Sequence, residues 1–225
     1  MYDKPAPDEE GVFNPFASED ISPPYSAHWE AKRRLAQALR ELTDTMVTSN
    51  TSTEHLSQVA EAIEAQTRNL ETGPRLYGVK AFMHSGEHGR HGEVNHELNA
   101  VGGWSNPLSP GLNMWVEGTE AWGTVTCHHG YEGPPGFVHG GFVAAIFDQF
   151  LGMAQIMGKS PGMTGTLTVR YHRPTPLNTE LRLHADLQEN VGRKTRVTGE
   201  MYAGDTLTAS CEALFVRPRQ PLPER

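Results

Sequence analysis

The chain is short of the residues that would staple it covalently or coat a polyanion. Two cysteines, Cys127 and Cys211, are all that occur in 225 residues. They are too few for a disulfide framework or a cysteine-rich metal cluster. Both fall in strand-like apolar surroundings, so they read as reduced core residues, and a cytoplasmic home is expected. A basic excess is also missing. There are 19 Lys and Arg against 27 Asp and Glu, for a formal charge of −8. That excludes a general nucleic-acid binder, and no nucleic-acid partner is expected. The N-terminus, MYDKPAPDEE, lacks a basic region followed by an apolar core, so no signal peptide is expected. One run, residues 140–157, reaches the lower limit of length for a membrane span. It contains Asp148 and several glycines and lies between strand patterns. A buried helix of a soluble fold is the expectation, with no membrane partner.

What is present divides the chain. Residues 1–24 are rich in Pro, Asp and Glu and read as a poorly ordered tail, as do 218–225 at the other end. Residues 25–75 carry two helical patterns. Leu35, Leu39, Leu42 and Met46 line one stripe between Ser26 and Val47. Leu56, Val59, Ala60, Ile63 and Leu70 line another, from about Ser52 to Leu70, and are expected to face inward. Thr51 and Glu54 have capping-box spacing, and Ser49-Asn50-Thr51 suits a turn, so a helical hairpin is predicted. Residues 72–111 are rich in Gly and His with little periodicity. A structureless run of that length inside a domain is expected to line a site or an interface in part. Period-2 strands follow at Leu112–Glu117 and Gly123–His128, then the 140–157 helix, then four more around 167–172, 181–187, 195–202 and 206–216. Gly192 and Gly204 mark tight turns. One long helix against an antiparallel sheet is an α+β layout. Residues 76–217 form that domain, with a core at 104–217.

The 140–157 helix carries the chemistry. Its only polar side chains are Asp148, Gln149 and Gln155. A helix apolar nearly all round is normally buried, and a carboxylate buried there must be paired, neutralised or used. The free N–H groups at its start, after His139-Gly140-Gly141, welcome negative charge. Glycine there lets a substrate carbonyl approach the backbone. Gly141 and Asp148 are seven residues apart on one face, about 10 Å along the axis. One carbonyl carbon cannot be about 3 Å from both. Two such helices lying antiparallel bring the acid of one to the amide of the other, which predicts a site shared by two subunits of a homodimer.

The run Tyr131-Glu132-Gly133-Pro134-Pro135-Gly136-Phe137-Val138-His139-Gly140-Gly141, with Asp148 nine residues after His139, resembles the hotdog-fold acyl-CoA thioesterases. It is most like their PaaI-like, THEM-like branch. Thr164–Pro174 and Gly192-Arg193-Lys194 resemble that branch as well, and the likeness covers roughly 104–217. It implies a hotdog fold, an antiparallel sheet wrapped around a long central helix, behind an N-terminal helical extension. It also implies hydrolysis of an acyl-CoA substrate to a carboxylic acid and CoA, without a cofactor. By this resemblance Asp148 is nucleophile or general base, and the Gly140 amide polarises the carbonyl with Gly141 supporting the turn. Thr164 orients water beside the acid, and His139 binds the carbonyl region or caps the helix. Arg170, His172, Arg193 and Lys194 match positions that touch the nucleotide. They belong to the stretch 159–196, whose local charge is +4 in a chain of −8, and Arg suits phosphates through its forked donors.

Competing readings are fewer. The histidines at 84, 88, 91 and 96 do not have recognised zinc spacing, and no metal is expected. Trp104, Trp115 and Trp122 read as core or pocket wall, and Trp29 and Tyr25 as anchors of the first helix. Phe142, Phe147, Phe150 and Met153 read as acyl-pocket wall. A non-catalytic acyl-CoA-binding or regulatory hotdog protein would need no acid in its helix. A hydratase normally pairs the Asp with a following His on that segment, and none follows before His172. Acyl preference, and dimer against tetramer, stay open.

Overall fold

The computed structural model describes residues 26–219, apart from 86, 90, 118–119, 159–161 and the side chains of 91 and 92. The tail at 1–24, Tyr25, Lys159 and residues 220–225 lie outside the described residues. Among the described residues there are five α-helices: α1 (Ala27–Thr48), α2 (Thr53–Glu71), α3 (Gly78–Ser85), α4 (His91–Leu98) and α5 (Gly140–Ala154). The strands are β1 (Asn113–Glu117), β2 (Glu120–Thr126), β3 (Met163–Tyr171), β4 (Glu180–Val191), β5 (Lys194–Ala203) and β6 (Thr206–Val216). They make one antiparallel sheet in the order β1-β2-β4-β5-β6-β3. With α5 packed on it, this is the expected α+β hotdog layout.

Alternation decides which face of each strand meets α5. On β4, Leu181, Leu183 and Ala185 are buried, while Arg182, His184 and Asp186 face the other way. Gly192 (φ 61°) and Gly204 (φ 58°) make the β4–β5 and β5–β6 turns in the left-handed region, where glycine is favoured. From α5, Ile146, Phe147, Phe150 and Leu151 are fully buried. Each contributes about 1.5–3 kcal/mol by area.

The helix is not buried all round, which corrects the expectation from composition. The sheet covers one side of it. On the other, Gly141 and Asp148 are exposed and Phe142 is 39% exposed. Phe147, Phe150 and Met153 belong to the core, so of the four expected wall residues only Phe142 faces outward. Of the tryptophans, Trp104 and Trp122 are half-buried, whereas Trp115 is 38% exposed on β1, outside the core.

The N-terminal helices also differ from expectation. Helix α1 is anchored as predicted. Ser26 caps it, accepting from the Trp29 N–H, and the buried Trp29 indole donates to the His88 carbonyl at 2.8 Å. Arg33 grips the fully buried Glu97 through Nε and Nη2 (3.0 and 2.7 Å), and Ser105 Oγ donates to the same carboxylate. At the far end of α1, Asp44 Oδ1 accepts the His129 N–H at 2.7 Å. Helix α2 is capped by Ser52, whose hydroxyl accepts from the His55 N–H, so Thr51 is not the cap. Ser49 is extended (ψ 134°) and carries the chain outward instead of turning it back. The hairpin therefore does not close: α1 and α2 do not pack along their lengths. Leu56, Ile63 and Leu70 face outward, exposed to between 40% and 64%.

The segment 72–111 holds more structure than its sequence suggested. Helices α3 and α4 pack on each other. The four histidines do different things there. His88 stacks on His28, with Trp29 and Phe82 around it. His84 is exposed. His96 lies next to Trp104, and the His91 side chain lies outside the described residues. Burial pushes His96 down from 6.5 to about 4, only partly countered by Glu97. The unfolded chain then binds a proton that the folded chain refuses between those values. Stability is expected to fall by about 3 kcal/mol as pH drops from 6.5 to 4. Urea unfolding of the wild type and His96→Gln across that range checks it, the variant losing that part of the slope.

Candidate active site

The loop before α5 is built to aim the helix start. Pro134–Phe137 forms a tight turn closed by the Phe137 N–H on the Pro134 carbonyl, with Gly136 at φ 82°. Glu132 accepts the Gly136 N–H at 2.6 Å, and that bond holds its carboxyl below the usual range. A side chain at Gly133 would come within 2.7 Å of the His139 backbone, so only glycine fits. The chain then returns through a Glu132–Val138 bridge and the His139 N–H on the Tyr131 carbonyl. His139 caps α5, its Nδ1 accepting the Gly141 N–H at 3.0 Å.

That cap separates the roles of the two glycines. The Gly141 amide is satisfied by His139. The Gly140 N–H has no acceptor among the described residues. Its own carbonyl, in the following Gly140–Gly141 peptide, accepts from Tyr171 Oη at 2.8 Å. Eight residues on, Asp148 stands on the open flank of α5 and accepts a 2.8 Å hydrogen bond from Thr164 Oγ1. The two groups are about 12 Å apart along the helix axis. Burial pushes the Cys127 and Cys211 thiols up to about 12, with Asp148 adding to the effect at Cys211. Both stay protonated at neutral pH and offer no nucleophile.

The structure does not gather the four expected nucleotide contacts in one place. Arg170 and His172 lie at the Tyr171 end of β3, His172 bonded through Nε2 to Ser210 Oγ at 2.8 Å. Arg193 and Lys194 lie at the other end: Lys194 is opposite Val216, which is opposite Met163. Arg193 donates to the Arg217 carbonyl. Thr164 and Arg170 alone are about 20 Å apart along the strand. The expected site residues thus fall into two separate groups on each chain. One holds Gly140, Tyr171, Arg170 and His172; the other holds Asp148, Thr164, Arg193 and Lys194.

Comparison with known proteins agrees with this architecture. The thioesterase superfamily model matches residues 135–212. A thioesterase superfamily protein of known crystal structure is 34% identical, with a TM-score of 0.71, over 87% of this chain and 97% of its own. The chain belongs to the thioesterase superfamily. Among curated proteins, the acyl-coenzyme A thioesterase THEM4 of Mus musculus is 37% identical over 95 residues, 40% of this chain and 41% of that protein. THEM4 of Xenopus laevis is 33% identical over 88 residues, 38% and 40% of the two chains. The chain therefore spans well under two thirds of the curated relatives it matches.

Two side chains of this thioesterase superfamily member escaped the sequence reading. Tyr171 holds the Gly140 carbonyl, yet nothing in its own stretch points to a glycine 31 residues earlier. Tyr131 packs edge-on against Phe142 (4.9 Å) and donates to the Leu108 carbonyl, and burial pushes its phenol up to about 12. It brings part of the obscure 72–111 segment beside the start of α5, and Gly102 closes against Gln149 of the same helix. The His139 cap is testable. His139→Ala should cost about 0.5–2 kcal/mol in denaturant unfolding, and His139→Asn should restore most of it.

Proposed function

We propose that the chain hydrolyses acyl-CoA thioesters in a site shared by two copies, with Asp148 of one facing Gly140 of the other. The observation that carries this reading is the pairing of opposites on one uncovered surface. A carboxylate held by Thr164 stands at one end, and an amide N–H without an acceptor at the other. The N–H would take the thioester oxygen as negative charge builds on it. Asp148 would add to the carbonyl carbon or draw a proton from the water that does. In both routes the C–S bond breaks and the sulfur leaves as CoA thiol; direct attack leaves an acyl–Asp148 anhydride that a water then hydrolyses, whereas activated water gives the carboxylic acid in one addition.

The shared site has its own support. The β3 edge away from β6 is unpaired among the described residues, and it carries Met163 and Tyr171, 55% and 53% exposed. A two-fold axis pairing β3 with its copy, antiparallel, sets the Gly140 half-site of one chain beside the Asp148 half-site of the next. It also joins Arg170 and His172 of one chain to Arg193 and Lys194 of its partner, one basic end for the CoA phosphates. The THEM4 relatives, named as acyl-coenzyme A thioesterases, favour the same substrate class.

Asp148→Asn should lower kcat by about 10²–10⁴ in a free-thiol assay with a panel of acyl-CoA esters. Gly140→Pro deletes the N–H at a position where a helix tolerates proline, and should cost about 10²–10³. Gly140→Ala keeps the N–H, and its added carbon meets nothing closer than Tyr171 Oη at 3.4 Å, so it should cost less. Co-assembled at equal amounts, the Asp148→Asn and Gly140→Pro chains should recover about a quarter of wild-type activity, because half the dimers hold one intact site. No recovery would place both groups in one chain's site, and wild-type binding without turnover would make the protein a carrier.

A further inference from the structure

On the outer face of the sheet, opposite α5, three ligand-type side chains converge. His184 of β4 places Nε2 3.6 Å from Glu120 Oε1 and 3.8 Å from Asp186 Oδ1. The three donor atoms lie within 4.8 Å of one another. We propose that Glu120, His184 and Asp186 bind a divalent first-row metal ion such as zinc, at a site separate from Asp148.

Three independent observations favour an ion here. First, the His184 Nε2 is shielded from solvent and has no hydrogen-bond partner. A buried polar nitrogen left unpaired is costly. Its distances to the carboxylates are too long for hydrogen bonds, but they suit ligands around a common centre. Two donors about 2.1 Å from a tetrahedral zinc stand about 3.4 Å apart. Second, Glu120 and Asp186 are direct cross-strand partners in the β2–β4 ladder. Like charges so placed repel, and among the described residues no Lys or Arg pairs with either. Arg182, the nearest candidate on β4, is turned to the Gly204 carbonyl and Asp205. Third, the imidazole is held in place. The Trp122 ring, its cross-strand neighbour, lies on it with centroids 4.4 Å apart.

One imidazole and two carboxylates suit zinc, cobalt or nickel better than calcium or magnesium, which prefer all-oxygen shells. Three protein ligands leave a position for water, on the rim of a cleft of about 280 Å³ that Trp122, Glu200 and Tyr202 help to wall. An ion here would clamp β2 to β4 on the face away from the thioester site.

The test uses the full-length, tag-free chain after chelator treatment. Equilibrium dialysis against micromolar zinc should find one ion per chain. His184→Gln should weaken binding at least tenfold, and Glu120→Gln and Asp186→Asn should each weaken it too. Cobalt should quench tryptophan emission in the wild type. The quench should disappear in His184→Gln and shrink in Trp122→Phe, although Trp122→Phe still takes up the ion. His184 is on an outward face, so its variant should keep the wild-type circular dichroism and thioester hydrolysis. Failure of the wild type to bind zinc, cobalt or nickel would overturn the proposal. Binding that survives His184→Gln would overturn it equally, by placing the ion elsewhere.

Discussion

The close approach of α5 to the sheet is the constraint on which the rest of the structure depends. A side-chain carbon at Gly199 would lie 2.7 Å from Leu151 Cδ2, and one at Gly123 would lie 3.3 Å from the Phe150 ring and 3.0 Å from the Asn113 carbonyl. These two glycines, on β5 and β2, are the floor under the largest side chains of the helix. Their role is space, not turn geometry, since neither has a positive φ. With Phe150 and Leu151 seated in that floor, the rotation of α5 is set. Asp148 and Gly141 are then turned to the flank that the sheet does not cover. The exposed acid and the buried aromatic face are two results of one packing solution.

The N-terminal half holds the loop before α5 in place from outside. Its strongest tie is a carboxylate, Glu97, taken wholly out of water and matched by Arg33 and Ser105. A buried pair of this kind adds little net stability over an apolar one, but losing either partner costs about 3–5 kcal/mol. Its value lies in geometry: it permits one placement of α1 on α4 and the segment that follows. From there α1 reaches with Asp44 to the His129 N–H, two residues before Tyr131, where the loop feeding the candidate site begins. A helix far in sequence from α5 thereby fixes the loop that sets the direction of α5's first turn.

Periodicity made the sheet legible. Alternation along 181–187 names the inward residues, and the positions of Gly192 and Gly204 mark them as turn glycines. The HGG run with Asp148 marked the helix that carries the candidate chemistry, and Thr164 was placed next to that acid. What failed did so for identifiable reasons. Composition said that α5 is apolar, but only tertiary packing says which side is covered, so the exposure of Asp148 was missed. The stripe on α2 said amphipathic helix, but whether Ser49 turns back or continues is a single ψ angle that no pattern encodes. The 72–111 segment hid α3 and α4 because they are eight residues each, too short to show a period and held by Trp29, His88 and Glu97 through long-range contacts.

The antiparallel run of α5 and β3 gives the proposed dimer its economy. Within one chain, Tyr171 meets Gly140 at one end and Thr164 meets Asp148 at the other. Each end therefore has a strand residue that fixes its helix group: a phenol on the glycine carbonyl, a hydroxyl on the carboxylate. In the proposed mechanism neither end is a catalyst by itself, since one would offer a donor for developing charge and the other a base or nucleophile. A two-fold axis exchanges the ends of both elements at once. On the proposed reading, the same operation that supplies the missing acid also supplies the missing pair of cations, without any movement of α5 along the sheet. Within one chain the two groups stay about 12 Å apart along α5, whose seat on Gly123 and Gly199 is set by Phe150 and Leu151.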